Sequence, residues 1–349
     1  MLKYISLILL LTFLVHPIVN SKLNAQSAGQ PGAFTTMGFS PRGMALGNAA
    51  TAVDQIGVYG YYNPALAAKP SETIQVDLST ALLSFDRQLH MVTAHIELPP
   101  TAGLSLGLIN ARVSNIDGRT TSGYHTDFLS TAEYQLFSNF GIRFSETVWG
   151  GIGIKYNYSD FHPDVQSASS IGLDLGMKFQ VTKALSIGIA AKDLLAQSNI
   201  DTAELYNTDT RTNRSQPFPI RLLMGVSYDY SDKLLLSLDI ENRLIQRDQL
   251  ITNVQISNGF ETTTVTREST SYSSKFIRTG GSYSIHERLT LRGGLQYQID
   301  ESIDSKLLPS FGFSLHLPFD RFSPSIDYAI AREPGGISNM HVFSLRLNI

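Results

Sequence analysis

From Thr73 to the C-terminus the dominant period of the chain is two. Between Arg288 and Ile299, Leu289, Leu291, Gly293, Leu295, Tyr297 and Ile299 alternate with Thr290, Arg292, Gly294, Gln296 and Gln298. The same rhythm sets Leu234, Leu236, Leu238 and Ile240 against Lys233, Ser237, Asp239 and Glu241, and it closes the chain with Phe343, Leu345, Leu347 and Ile349. Alternation of this kind marks strands with one apolar face. It predicts fourteen strands, at about 73–82, 88–98, 103–114, 127–144, 147–160, 168–180, 184–195, 218–230, 233–246, 274–286, 288–299, 306–317, 321–332 and 338–349. Most have ten to fourteen residues, whereas strands of soluble proteins average about five or six and a tilted strand crosses a bilayer in about nine to eleven. The expected fold is all-β, a transmembrane antiparallel β-barrel.

The connections support this by alternating in length. Residues 99–102, 145–146, 181–183, 231–232 and 318–320 read as tight turns, while 115–126, 161–167, 196–217 and 246–273 read as solvated loops. Outer-membrane barrels have short periplasmic turns and longer outer loops, and an even strand count returns the C-terminus to the periplasmic side. A soluble sandwich or propeller is the rival. A propeller needs a blade-sized repeat, and the sequence contains none. The polar face of the strands also carries Asp174, Lys192, Asp239, Glu241, Arg292, Arg321, Asp327 and Arg346, which are costly to bury in a sandwich and cheap in a wet lumen.

The N-terminus breaks the alternation. Lys3, the apolar run 5–15, the break at His16 and Pro17, and Leu23-Asn24-Ala25 read as a signal peptide over 1–25, cleaved before Gln26. The run is too short for a spanning helix, which takes about 17 to 25 residues. Residues 26–72 are rich in Gly, Ala and Pro, and 73–349 form the barrel. A fourteen-strand barrel is too wide for its wall side chains to fill, so 26–72 is expected to plug the lumen, a disordered leader being the alternative. Arg42, Gly43, Gly47, Asn48, Asn63, Pro64 and Ala65 are the candidate plug residues.

Composition narrows the function. Only 16% of the 349 residues are charged, against about 25% on average. The absence of cysteine excludes thiol chemistry and cysteine-ligated metals, and a net charge of −3 argues against nucleic acid as a partner. No nucleophile, base and orienting group assemble into a catalytic set, so no enzyme activity, catalytic residue or cofactor is expected. Gly38-Phe39-Ser40-Pro41-Arg42-Gly43 is too long for a nucleophile elbow. Gly150-Gly151-Ile152-Gly153 lacks the lysine of a phosphate loop. The histidines stand singly, and Asp160-Phe161-His162-Pro163-Asp164 reads as a solvated loop rather than a metal site. Tyr134, Phe137, Phe140, Trp149, Tyr156 and Tyr158 fall where an aromatic interfacial girdle is expected.

The stretch Arg42-Gly43-Met44-Ala45-Leu46-Gly47-Asn48-Ala49, followed by Asn63-Pro64-Ala65-Leu66-Ala67, resembles the opening signature of PorV/PorQ-like proteins, a branch of the FadL-type outer-membrane barrels. Val113 to Arg119, Gly151 to Tyr156, Gly172 to Gly176 and Leu185 to Leu194 are similar to that family's internal blocks in the same order. The resemblance implies a fourteen-strand barrel with an N-terminal plug, located in an outer membrane and contacting its lipid. It implies one of two roles. The first is a non-enzymatic accessory in type IX-like export, partnered by secretion-system proteins or exported cargo. The second is a FadL-type channel for uptake of small hydrophobic compounds.

Overall fold

A computed structural model describes residues 31–162, 165–200, 214–257, 260–300, 306–319, 323–334 and 338–349. The expected signal peptide and the first residues after it lie outside the described residues. The described residues form sixteen strands: β1 (Gln75–Leu82), β2 (Arg87–Leu98), β3 (Ala102–Arg119), β4 (His125–Arg143), β5 (Val148–Asp160), β6 (Ala168–Gln180), β7 (Leu185–Leu194), β8 (Gln197–Ile200), β9 (Arg214–Pro217), β10 (Ile220–Ser231), β11 (Leu234–Ser257), β12 (Phe260–His286), β13 (Leu289–Asp300), β14 (Lys306–His316), β15 (Ser325–Arg332) and β16 (Asn339–Asn348). All but β8 and β9 form one closed antiparallel barrel of fourteen strands. Closure is made by β1 against β16, in register from Gln75 opposite Asn348 to Leu82 opposite His341.

Each of the fourteen barrel strands coincides with one alternating segment of the sequence. The reason is burial on two different terms: Leu238, Ile277, Leu295, Phe311 and Phe343 point outward and stay exposed, while Asp239, Arg278, Gln296, Ser310 and Ser344 alternate with them and point inward. The outward set is a continuous apolar skin around the wall, suited to lipid. Among the described residues no helix is long and apolar enough to cross a membrane.

The loops differ from expectation. The segment 246–273, read as a loop, is instead paired backbone, because β11 and β12 stay in register out to Ser257 opposite Phe260. This two-stranded ribbon extends past the ladders with β10 and β13, which end at Leu244 and Ser274. The segment 196–217 carries a short hairpin of β8 with β9 at its ends, and β3 and β4 each reach into the expected loop 115–126. Two girdle candidates also move inside. Phe137 and Trp149 share their strand parity with the inward Gln135 and Lys155 and are buried, whereas Tyr134, Phe140, Tyr156 and Tyr158 face outward.

The lumen is filled by the chain itself. Residues 31–72 occupy it as four short helical turns, Ala33–Thr36, Pro41–Ala45, Tyr59–Tyr62 and Pro64–Ala68, joined by irregular backbone. This segment starts at the loop end of the barrel, where Gly32 abuts Phe218 just before β10. It leaves at the turn end, where the Ser71 amide donates to Glu97 near the end of β2 (2.8 Å). The inward charges are therefore buried, and most are paired with one another or with the segment. Asp174, Lys192, Asp239, Glu241, Arg292, Asp327 and Arg346 are all buried, while Arg321 lies outside the described residues.

Candidate functional site in the barrel lumen

The seven candidate residues fall into two groups on opposite sides of the lumen. Arg42, in the Pro41–Ala45 turn, donates through Nε to both oxygens of Asp327 on β15 (3.0 and 3.1 Å) and through Nη2 to Ser325 (2.7 Å). Gly43 packs against the Tyr62 ring. Gly47 has a φ of +65°, and a Cβ there would sit 2.8 Å from the Leu295 carbonyl of β13, so both its conformation and its closeness to the wall require glycine. Its amide donates to Ser310 on β14 (3.1 Å). Asn48, also left-handed at φ 61°, donates to the Met37 carbonyl and accepts from the Tyr62 hydroxyl (2.9 Å).

The second group faces β4 to β6. Asn63 is fully buried, and its side-chain amide donates to the carbonyls of Thr51 (2.9 Å) and Met177 (3.0 Å), while its Oδ1 caps the next turn by accepting from the Ala65 amide (3.0 Å). Pro64 begins that turn, where its missing N–H costs nothing. Ala65 is buried where the wall comes close at Gly151 and Gly176.

Other wall residues grip the segment. Asp239 on β11 accepts three hydrogen bonds on one oxygen, from the Ala50 amide (2.9 Å), the Thr51 amide (2.9 Å) and the Thr51 hydroxyl (2.7 Å). Arg346 on β16 pairs with Asp77 and donates to the Ile56 carbonyl (2.6 Å), and Gln75 donates to the Gly57 carbonyl (2.7 Å). Lys192 donates to the Tyr61 carbonyl and sits over the Tyr61 ring. Lys178 pairs with Asp54 (2.6 Å) and lies over Trp149. Burial pushes the Asp54 carboxyl up, but Lys178 and Lys69 outweigh it and hold its pKa below the ordinary value. The inward charges were legible in the sequence by parity. Thr51, Tyr61 and Gln75 carry no such mark, since Thr51 and Tyr61 meet β11 and β7 far along the chain and Gln75 meets the irregular backbone at Gly57.

The wall on the remaining side is different. At the loop end of β15, β16 and β1 to β4 the inward residues are Ala331, Met340, Val342, Ala81, Leu89, Met91, Ile109 and Phe137, which form one buried apolar cluster with Phe34, Phe39 and Met44 of the segment. Arg87 closes the rim above it with a two-pronged ion pair to Glu333. A cavity of about 20 Å³ remains beside Met37, Met44, Ala331 and Met340. At the turn end a larger polar vestibule of about 640 Å³ opens between Gln55, Asp229, Lys233 and Ser282. The lumen thus has a greasy cluster packed around the start of the segment toward one mouth and a polar vestibule at the other. Apolar side chains of this kind favour uncharged ligands over ions. Among the described residues no three metal-ligating side chains converge.

No protein-family model matches the chain, and no curated protein matches it. Solved structures do. The toluene transporter TbuX of Ralstonia pickettii superposes with a TM-score of 0.63 at 15% identity, over 90% of this chain and 100% of that one. The CymD monoaromatic hydrocarbon channel gives 0.60 at 14%, over 89% and 97%. A FadL homologue of Pseudomonas aeruginosa gives 0.59 at 12%, over 89% and 98%. The chain has the fold of the FadL-type outer-membrane barrels.

Proposed function

We propose that this protein is an outer-membrane channel of FadL type, exported through a cleaved signal peptide, in which residues 26–72 form the plug and the greasy cluster receives small hydrophobic molecules. The supporting observation is a change in the lumen surface: toward the loop end β15, β16 and β1 to β4 contribute one contiguous apolar cluster, whereas most of the buried charges of the wall lie on β5 to β7 and β10 to β15. A water channel gains nothing from such a face, and a hydrocarbon site requires one. The fold is shared with proteins described as toluene transporters and a monoaromatic hydrocarbon channel, so a single aromatic ring is the ligand to test first. In nanodiscs, 4-fluorotoluene should bind saturably by ¹⁹F NMR, and Ala331→Trp, which fills the space beside Met37, Met44 and Met340, should abolish that binding. Equal partitioning into both samples would refute the reading.

The resemblance to PorV/PorQ-like proteins supports a second reading, as a non-enzymatic partner in export. The β11–β12 ribbon that projects beyond the barrel supplies a contact surface for it. A mild-detergent pull-down separates the two: large secretion proteins or cargo retained in stoichiometric amount favour export, and a lone barrel carrying hydrophobic compounds favours the channel.

A further inference from the structure

On one side of the barrel the apolar outer skin stops at a definite level. Across β16, β1, β2, β3 and β4 the outward residues Leu345, Leu78, Val92, Leu108 and Leu136 stand opposite one another in register, all exposed. One step toward the loop end, the same face carries Thr80, His90, Asn110 and Tyr134 on β1 to β4. One step further it carries His341 on β16, Gln88 on β2 and Arg112 on β3. A wall that changes from aliphatic to polar within two residues has reached the edge of the hydrocarbon. Aromatic pairs flank the patch at this level, Tyr134 with Tyr158 (6.3 Å between ring centres) and Tyr328 with Phe343 (5.1 Å), as an interfacial girdle does.

His90 faces Asn110, and Gln88 faces Arg112. His90 and Arg112 are therefore diagonal neighbours, a relation that sets positions about 7–8 Å apart. Arg112 is exposed, and among the described residues it has no ion pair or hydrogen bond. His90 Nδ1 lies 3.2 Å from the Thr80 hydroxyl and His341 Nδ1 lies 2.9 Å from the Tyr328 hydroxyl, so each ring is fixed at one nitrogen and keeps Nε2 for another partner. Among the described residues these two outward rows hold no acid from β15 to β4, the nearest being Asp160 at the end of β5 and Asp86 in the turn between β1 and β2.

A guanidinium at the hydrocarbon edge, with no carboxylate on its own wall, takes its counter-charge from the lipid side. We propose that His90 and Arg112, with Gln88 and Asn110 beside them, bind a phosphate of the phosphorylated glycolipid of the outer leaflet, whose acyl chains lie over Leu78, Val92 and Leu108. The class follows from three observations. The guanidinium fork matches phosphate oxygens, the aliphatic row directly below matches acyl chains, and the loop end of an outer-membrane barrel faces the outer leaflet. The inference rests on the outer-membrane reading and its orientation, and is independent of what the lumen carries.

The test is native mass spectrometry of the full-length protein in detergent, titrated with the acylated, bisphosphorylated disaccharide anchor of lipopolysaccharide, with its dephosphorylated form and with phosphatidylglycerol. The phosphorylated glycolipid should bind best. A double variant carrying His90→Gln and Arg112→Gln should bind it about tenfold more weakly, the loss of two charge-assisted contacts at an exposed site. Both substitutions lie on the outward face, and unchanged heat-modifiable gel mobility checks the barrel. Lys275→Gln removes an outward cation on β12, away from the patch, and should leave binding unaltered. Equal binding by the unaltered protein and the double variant, or an equal loss with Lys275→Gln, would overturn the proposal. Equal affinity for phosphatidylglycerol would overturn the choice of glycolipid. Binding in detergent does not depend on orientation, which antibody access on intact cells reads separately.

Discussion

Arg42 and Asp327 lie 285 positions apart in sequence and meet inside the barrel, guanidinium Nε against both carboxylate oxygens. Both are buried, so the pair joins the start of the chain to one of its last strands where water cannot replace either partner. Replacing Arg42 by Ala leaves Asp327 buried without its main counter-charge, a change that typically costs roughly 3–5 kcal/mol. The expected result is faster protease cutting within residues 31–72 with no loss of the barrel's resistance to heat on a gel. Cutting at the unaltered rate would show that the segment is not held there.

Asp239 is a second anchor of different character, since it satisfies backbone amides as well as a hydroxyl. Asp239→Ala strands these donors at about 1–3 kcal/mol for each buried group. Hydrogen exchange at Ala50 and Thr51 should accelerate by at least about tenfold, while amides of β11 outside this contact stay protected.

The Asp54–Lys178 pair makes the turn end sensitive to acid. The Asp54 pKa is lower in the folded protein than in the free side chain, so its contribution is fully present above the ordinary carboxylate value of about 3.9 and is lost as the pH falls through the lowered value. Asp54 is partly exposed, and the effect is modest. Protease sensitivity of residues 52–57 should rise below about pH 4, and Asp54→Asn should show the raised sensitivity already at neutral pH. A pH profile identical in both proteins would remove Asp54 from the anchor.

Orientation can be read directly on cells. Gly123 lies in the loop between β3 and β4, and Asp232 in the turn between β10 and β11. An epitope inserted at Gly123 should bind antibody on intact cells, and one at Asp232 should bind only after the outer membrane is opened. The reverse pattern would invert the barrel.

The wall of this protein is written plainly in its sequence, and the grip on the segment is not. Leu295 and Gln296 reveal their faces through their neighbours, because lipid selects one parity and the lumen the other. The same parity argument places Phe137 with Gln135 and Asn139 and Trp149 with Lys155, so their inward positions were available from the alternation. The β11–β12 ribbon was not, since nothing local to it records that its pairing outlasts the neighbouring ladders. Thr51 carries no local mark of its role, and its acceptor Asp239 stands 188 residues away. The contacts inside the lumen are legible only once the strands are closed around them.

That last relation has a kinetic side. The segment precedes every barrel strand in the chain, yet its acceptors and donors sit on β6, β7, β11, β15 and β16, and β16 must meet β1 before Asp77 and Arg346 can share it. The residues made first are therefore the last to find their places. Until the final strand arrives Phe34, Phe39 and Met44 stay uncovered, and a chain cut short before β15 leaves them so.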